Sequence, residues 1–280
     1  MAETKESGIA KKGTKAKLLS VTGAPKGDIT LPLVFETEYR PDVIQRAFVA
    51  EASLDIQPYG TDKRAGFRTS ADYFGRRREY YRMTVNKGIS RLPRIKLAKG
   101  GLGQVRIVPH SKGGHRAHPP KAEKDWVKKI NKKEWIFALN SAVAATTDFE
   151  LAISEGRNHA IDSVSLPLIV EKSFEDIEKT SKIRDVLVSL GLEKDLERCS
   201  EKKNLAGRGK SRGRAQKYRT GVLIVVSGEC KALKTAENLA GVSTVIVDNL
   251  AVSDLAPGGV AGRLTIWTEQ AIKKMEEELQ

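Results

Sequence analysis

From about residue 122 to the C-terminus, short apolar runs alternate with amphipathic stretches. Leu166–Val170, Val222–Val226, Thr244–Val247 and Leu264–Trp267 are apolar at nearly every position. Strands of that kind lie inside a parallel sheet covered on both faces. Between them, Ile177–Leu187, Ala232–Ala240 and Glu269–Leu279 carry apolar residues at helical spacing, and Ser253–Ala256 predicts a short helix. Near the N-terminus, Lys17–Val21 predicts a strand, Gly23–Gly27 a turn and Ile29–Leu33 a returning arm. Pro41 opens a helix with Val43, Ile44, Ala47, Phe48 and Ala50 on one face, fading by Leu54. Asn131 followed by Glu134 predicts a capping box, and Trp135, Ile136, Leu139, Ala142, Val143 and Thr146 the inward face of the next helix. Strands alternating with helices in this order define an α/β fold around a mostly parallel sheet.

Two stretches break the pattern. Between Tyr59 and Pro120 there is no apolar stripe, and cations recur among glycines and aromatics, with Asp62, Asp72 and Glu79 the only acids. A connection of that length in a compact domain is functional or disordered, and a chain so cationic finds its natural counterpart in a polyanion. The second stretch, 198–219, holds Arg198, Lys202, Lys203, Arg208, Lys210, Arg212, Arg214, Lys217 and Arg219 against Glu201 alone. The expected organisation is therefore a basic flexible tail at 1–16, a globular α/β domain from 17–58 and 122–280, an inserted extended basic loop at 59–121, and a second basic segment at 198–219 within the domain.

Charge narrows the function classes. The 280 residues carry a net charge of +14, which favours nucleic acid or an acidic surface. A hydrophobic content of 40% still leaves material for a core. No apolar run approaches the roughly 20 residues of a membrane helix, and residues 1–17 lack the apolar stretch of a signal peptide. The two cysteines, Cys199 and Cys230, make no disulfide framework, so a reducing cytoplasm is expected.

Enzyme signatures fail one by one. Gly209-Lys210-Ser211 resembles the end of a phosphate-binding loop, but Asn204 stands where that motif needs glycine. His110, His115 and His118 lack a fourth ligand for zinc and sit among cations, where stacking on RNA suits them better. Cys199 has neighbouring cations that could lower its pKa, but with no histidine nearby in sequence a buried or incidental thiol is expected rather than a nucleophile. Asp248 follows a strand without a partner motif and suits a turn or cap. An RNA-acting α/β enzyme such as a methyltransferase would need a glycine-rich turn after its first strand, which is incomplete here. An mRNA-binding regulator is a further alternative. By contrast, Phe67, Tyr73, Phe74, Tyr80 and Tyr81 interleave with Arg68, Arg76, Arg77, Arg78 and Arg82. Unpaired bases stack on such rings and guanidinium planes.

Specific segments carry a resemblance. Phe35-Glu-Thr-Glu-Tyr-Arg-Pro-Asp-Val-Ile44, Gln57-Pro-Tyr-Gly-Thr-Asp62, Ala65-Gly-Phe-Arg-Thr-Ser-Ala71, Ser90-Arg-Leu-Pro-Arg94 and the run from Gly113 to Trp126 resemble the large-subunit ribosomal protein four family, in its archaeal form. The resemblance implies a Rossmann-like three-layer domain, no catalysis, no cofactor and no bound metal. It implies a cytoplasmic ribosomal location and large-subunit rRNA as partner, and the cation pattern names as its contacts Arg64, Arg68, Arg76, Arg77, Arg78, Arg82, Arg106, Lys112, His115, Arg116, His118, Lys121, Arg208, Lys210, Arg212 and Arg214. It further implies a loop tip at the polypeptide exit tunnel, with Arg91, Arg94, Lys96 and Lys99 nearest the nascent peptide and ribosomal protein twenty-two. Neither a membrane nor a second copy of the chain is an expected partner.

Overall fold

A computed structural model describes residues 14–73, 84, 86–154, 156–161 and 164–278. The chain divides into two compact units, one of Met1–Leu54 with Val127–Gln280 and one of Asp55–Trp126.

In chain order, the first unit starts with β1 (Lys15–Leu19), β2 (Pro25–Thr30) and α1 (Pro41–Leu54). The second unit contains β3 (Arg94–Lys96) and β4 (Leu102–Val105). The first then resumes with α2 (Lys132–Ala144), α3 (Phe149–Ile153), β5 (Leu168–Val170), α4 (Thr180–Ser189), α5 (Glu193–Ser200), β6 (Lys203–Asn204) and β7 (Gln216–Lys217). It ends with β8 (Leu223–Val226), α6 (Lys231–Ala236), β9 (Ser243–Ile246), α7 (Val252–Leu255), β10 (Thr265–Thr268) and α8 (Glu269–Glu278).

Six strands form the central sheet in the order β2-β1-β5-β10-β8-β9. Only the β1–β2 hairpin is antiparallel; the other four pairings are parallel. The apolar runs explain the layering. Along β8, Leu223 and Val225 enter one core while Ile224 and Val226 enter another, because alternate side chains leave a strand on opposite faces. Ile169 and Trp267 join the first core; Leu168, Val170 and Ile266 join the second. Helices α1, α2, α7 and α8 cover the first core through Ile44, Ala142, Leu255 and Ile272. Helices α4 and α6 cover the second through Ile183, Leu187 and Ala236. Trp267 is fully buried, edge-on to Phe35 with ring centroids 5.4 Å apart.

Several expectations are corrected. The first strand begins at Lys15 rather than Lys17, since Ala16 is buried and Lys15 pairs with Thr30. Asn131 does precede α2, but its side chain makes no cap bond, so the capping box is absent. Ile136 is 46% exposed and Ala138 takes its place inside. The helix turns this way as Trp135 Nε1 donates to Glu51 Oε1 at 2.6 Å. The same carboxylate accepts from Val252 and Ser253 N–H at 3.1 and 2.7 Å, so α1 supplies the missing cap of α7. Helices α3 and α5 are additions to the expected elements; both are short, and Asp148 caps the first from the side chain.

Candidate nucleic-acid interface

Residues 203–217 form a small antiparallel hairpin on the first unit. Lys203 pairs with Lys217 and Asn204 with Gln216, and Leu205 N–H donates to the Ala215 carbonyl at 2.8 Å. Gly213, at φ 80, closes the turn in a conformation that L side chains resist. Between the strands, Arg208, Lys210, Arg212 and Arg214 are all exposed, and none forms an ion pair among the described residues. Ser211 Oγ donates to the Arg208 carbonyl at 2.9 Å, so Gly209-Lys210-Ser211 is a local turn. Arg198 leaves this set: its Nε donates to buried Asp195 at 2.9 Å and its Nη2 to the Thr220 carbonyl at 2.9 Å.

Among its described residues, the second unit has no buried apolar core. Of its described residues, only Thr84 is buried. Its ties are backbone bonds, aromatic pairs and glycines. Thr61 N–H donates to the Pro120 carbonyl at 3.2 Å, joining its two ends. Phe67 stacks on His115 at 4.7 Å and 21°, and Tyr59 lies against Trp126 at 4.6 Å. His115 is further fixed by Ile107: its N–H donates to that carbonyl at 3.0 Å, and Nδ1 also contacts it. Gly66, at φ 82, passes so close to His115 that a Cβ would lie 2.5 Å from its backbone. Arg68 pairs with Asp62 at 2.5 Å, and Arg106 donates to the Lys112 carbonyl. Arg64, Lys112, Arg116, His118 and Lys121 form no ion pair among the described residues. Arg76, Arg77, Arg78 and Arg82 lie outside the described residues, as do Phe74, Tyr80 and Tyr81 and the first thirteen residues of the expected tail.

The expected tip is a hairpin, a pairing that no periodicity in the sequence announces. Arg94 pairs with Val105 and Lys96 with Leu102, and Asp72 bridges back to Arg94. Lys96 lies 3.8 Å from Asp72, and Arg94 Nη2 donates to Ser90 Oγ at 2.8 Å. Arg91 and Lys99 are exposed, with Lys99 at the turn (φ 54). Gly88 and Gly100 have positive φ, whereas Gly101 is extended and Gly103 lies within β4.

Elsewhere the chemistry is structural. His159 accepts from Leu264 N–H at Nε2, which leaves Nδ1 to donate to Asp195 at 3.1 Å. Burial pushes the Asp195 carboxyl up, yet hydrogen bonds from His159 and Arg198 outweigh it and hold the pKa below its ordinary value. The one sequence signal of that network is Asp195 and Arg198 three apart on a helix. Cys199 is a buried thiol, and burial followed by Asp195 pushes its pKa up despite the neighbouring cations. Arg263, also buried, donates to the Gly221 and Asp254 carbonyls at 2.9 and 2.8 Å, and burial brings it down to about 10. At the C-terminal ends of β8 and β10, where α/β folds place ligands, buried Glu175 accepts from Ser227 Oγ at 3.0 Å and Thr268 Oγ1 at 2.6 Å. Asp248 is paired with Lys274. His110, His115 and His118 are not gathered into a metal-binding group; none occurs among the described residues. Nor is any described helix long and apolar enough to cross a membrane.

A mostly parallel α/β sheet bearing two cation-rich segments defines a class of basic α/β protein. The chain belongs to the Ribosomal protein L4/L1 family, whose model matches residues 29–278. It is similar to proteins named "Large ribosomal subunit protein uL4" in archaea. That of Methanococcus vannielii is 44% identical over 263 residues, 93% of this chain and 98% of the relative. That of Methanocaldococcus jannaschii is 42% identical, with 95% and 100% covered. That of Methanoculleus marisnigri is 46% identical, with 94% and 99% covered.

Proposed function

We propose that this chain is a non-enzymatic structural constituent of the large subunit of the cytoplasmic ribosome, where it binds and scaffolds rRNA. Family membership supports the ribosomal role. The observation that carries RNA binding is the hairpin at 203–217, which displays Arg208, Lys210, Arg212 and Arg214 without an acid partner among the described residues. Cations held away from internal partners neutralise converging phosphate strands and release counterions. In this reading the sheet unit is a Rossmann-like anchor. Residues 59–121 extend along RNA, contacting it through Arg64, Arg68, Arg106, Lys112, His115, Arg116, His118 and Lys121. The turn beside Arg91, Arg94, Lys96 and Lys99 reaches the wall of the polypeptide exit tunnel, next to the nascent peptide and ribosomal protein twenty-two. An out-and-back chain of roughly 60 residues spans at most about 100 Å, enough to cross packed RNA.

The test is a salt titration with large-subunit RNA. Replacing Arg208, Lys210, Arg212 and Arg214 by Ala should weaken binding and flatten its log–log salt dependence by roughly 0.7–0.9 for each phosphate no longer neutralised. An unchanged slope refutes the hairpin as an anchor. Deleting 89–104 should spare subunit binding and alter nascent-chain passage; cross-links from Arg94 to surface proteins alone would refute the tunnel placement.

A further inference from the structure

Two cavities in the second unit share one wall. The first, of about 580 Å³, is lined by Lys63, Phe67, His115 and Glu123 among others. The second, of about 560 Å³, is lined by Tyr59, His118, Lys124 and Trp126. Arg116, Pro119, Pro120 and Lys121 line both. Each volume lies within the range of small-ligand clefts, about 300–1,000 Å³.

We propose that these cavities hold two consecutive unstacked RNA nucleotides, one base in each, with the phosphate between them on Arg116 and Lys121. This rests on the RNA-binding reading above and adds to it a defined site. The geometry has the order of a dinucleotide: aromatic surface, cations, aromatic surface. Phe67 has one face stacked on His115 and remains 48% exposed; Tyr59, beside Trp126, remains 57% exposed. Bases stack on such rings whatever their sequence. Arg116 and Lys121 form no ion pair among the described residues, whereas Asp62, an acid in the first cavity, is paired with Arg68. The remaining acid there, Glu123, offers acceptors only, which rewards an edge bearing two donors, the Watson–Crick edge of guanine. The wall leaves little slack at Gly60, where a Cβ would lie 2.9 Å from Ala122 N.

The experiment uses the full chain and an RNA hairpin carrying a two-nucleotide bulge, guanosine then uridine. The comparison probe is the same hairpin with both bulged residues abasic, so that the phosphates are unchanged. The base-bearing hairpin should bind more tightly by roughly 30-fold or more, two base–aromatic stacks at the lower end of their range. Phe67→Leu, which keeps apolar bulk without the ring, should erase the share of that ratio owed to the first base, roughly 5-fold or more, and leave the salt slope alone. Tyr59→Leu should do the same for the second base. Arg116→Gln should keep the ratio and lower the slope by roughly 0.7–0.9. Equal binding of the two hairpins overturns the site. If binding to deproteinised large-subunit RNA persists in that case, only this inference falls; if that binding is also absent, the functional reading falls with it.

Discussion

The two units solve opposite problems. The sheet unit buries apolar side chains on both faces of its strands and gives its buried and half-buried arginines internal partners: half-buried Arg198 meets Asp195 and a carbonyl, and buried Arg263 meets carbonyls and Ser243 Oγ. The Asp55–Trp126 unit has one buried residue among those described and leaves Arg64, Arg116 and Lys121 exposed without ion pairs. A cation lacking an internal partner costs little in water and gains when a phosphate arrives; a buried cation lacking one is strongly destabilising. The buried core is thus concentrated in the first unit, while exposed cations without ion pairs lie in the second unit and on the 203–217 hairpin of the first. Burial, not residue type, separates a structural arginine from an available one.

Four substitutions test that separation, ordered by expected effect on global stability. Trp267→Ala removes a fully buried ring from the sheet and should cost about 3–5 kcal/mol in urea unfolding. A loss below about 1 kcal/mol would break the claim that stability resides there. Asp195→Asn should cost about 3 kcal/mol near neutral pH, because it breaks a buried pair by removing one partner. Its pH dependence has a definite sign. The native carboxyl titrates below its ordinary value, so its contribution is fully present above the unfolded pKa of about 3.9 and is lost as pH falls through the lower native value. The wild-type margin over Asp195→Asn should therefore shrink on acidification below about pH 4; a constant margin across that window would refute the assignment.

Gly66→Ala places a Cβ against the His115 backbone at positive φ. It should leave the sheet unit's unfolding midpoint nearly unchanged while proteases cut within 59–121 faster. A lowered midpoint would show that the two units unfold as one. Phe67→Leu should change global stability by less than about 0.5 kcal/mol, the usual range for an exposed position, yet lower RNA affinity. In the wild-type protein without RNA, limited proteolysis should cut first between Tyr59 and Pro120. Equal protection of both units would remove the contrast.

The sheet is legible in the amino-acid order alone. Strands such as Leu223–Val226, apolar at every position, fit only a two-sided environment, and the connections between them carry helical periodicity. The cation-rich stretches are legible too, because charge density is a property of composition. Side-chain fate is another matter. Arg198 and Arg208 stand ten residues apart in one basic run, yet one is paired inside and the other is exposed. Ile136 reads as a core residue and points outward, and Glu51 caps a helix 201 residues away. The pairing of residues 94–105, the two aromatic stacks and the cavities between them are equally invisible in composition. Periodicity and charge are local quantities, readable along the chain. Partner choice depends on which distant segment arrives at a given atom, and only tertiary packing decides that.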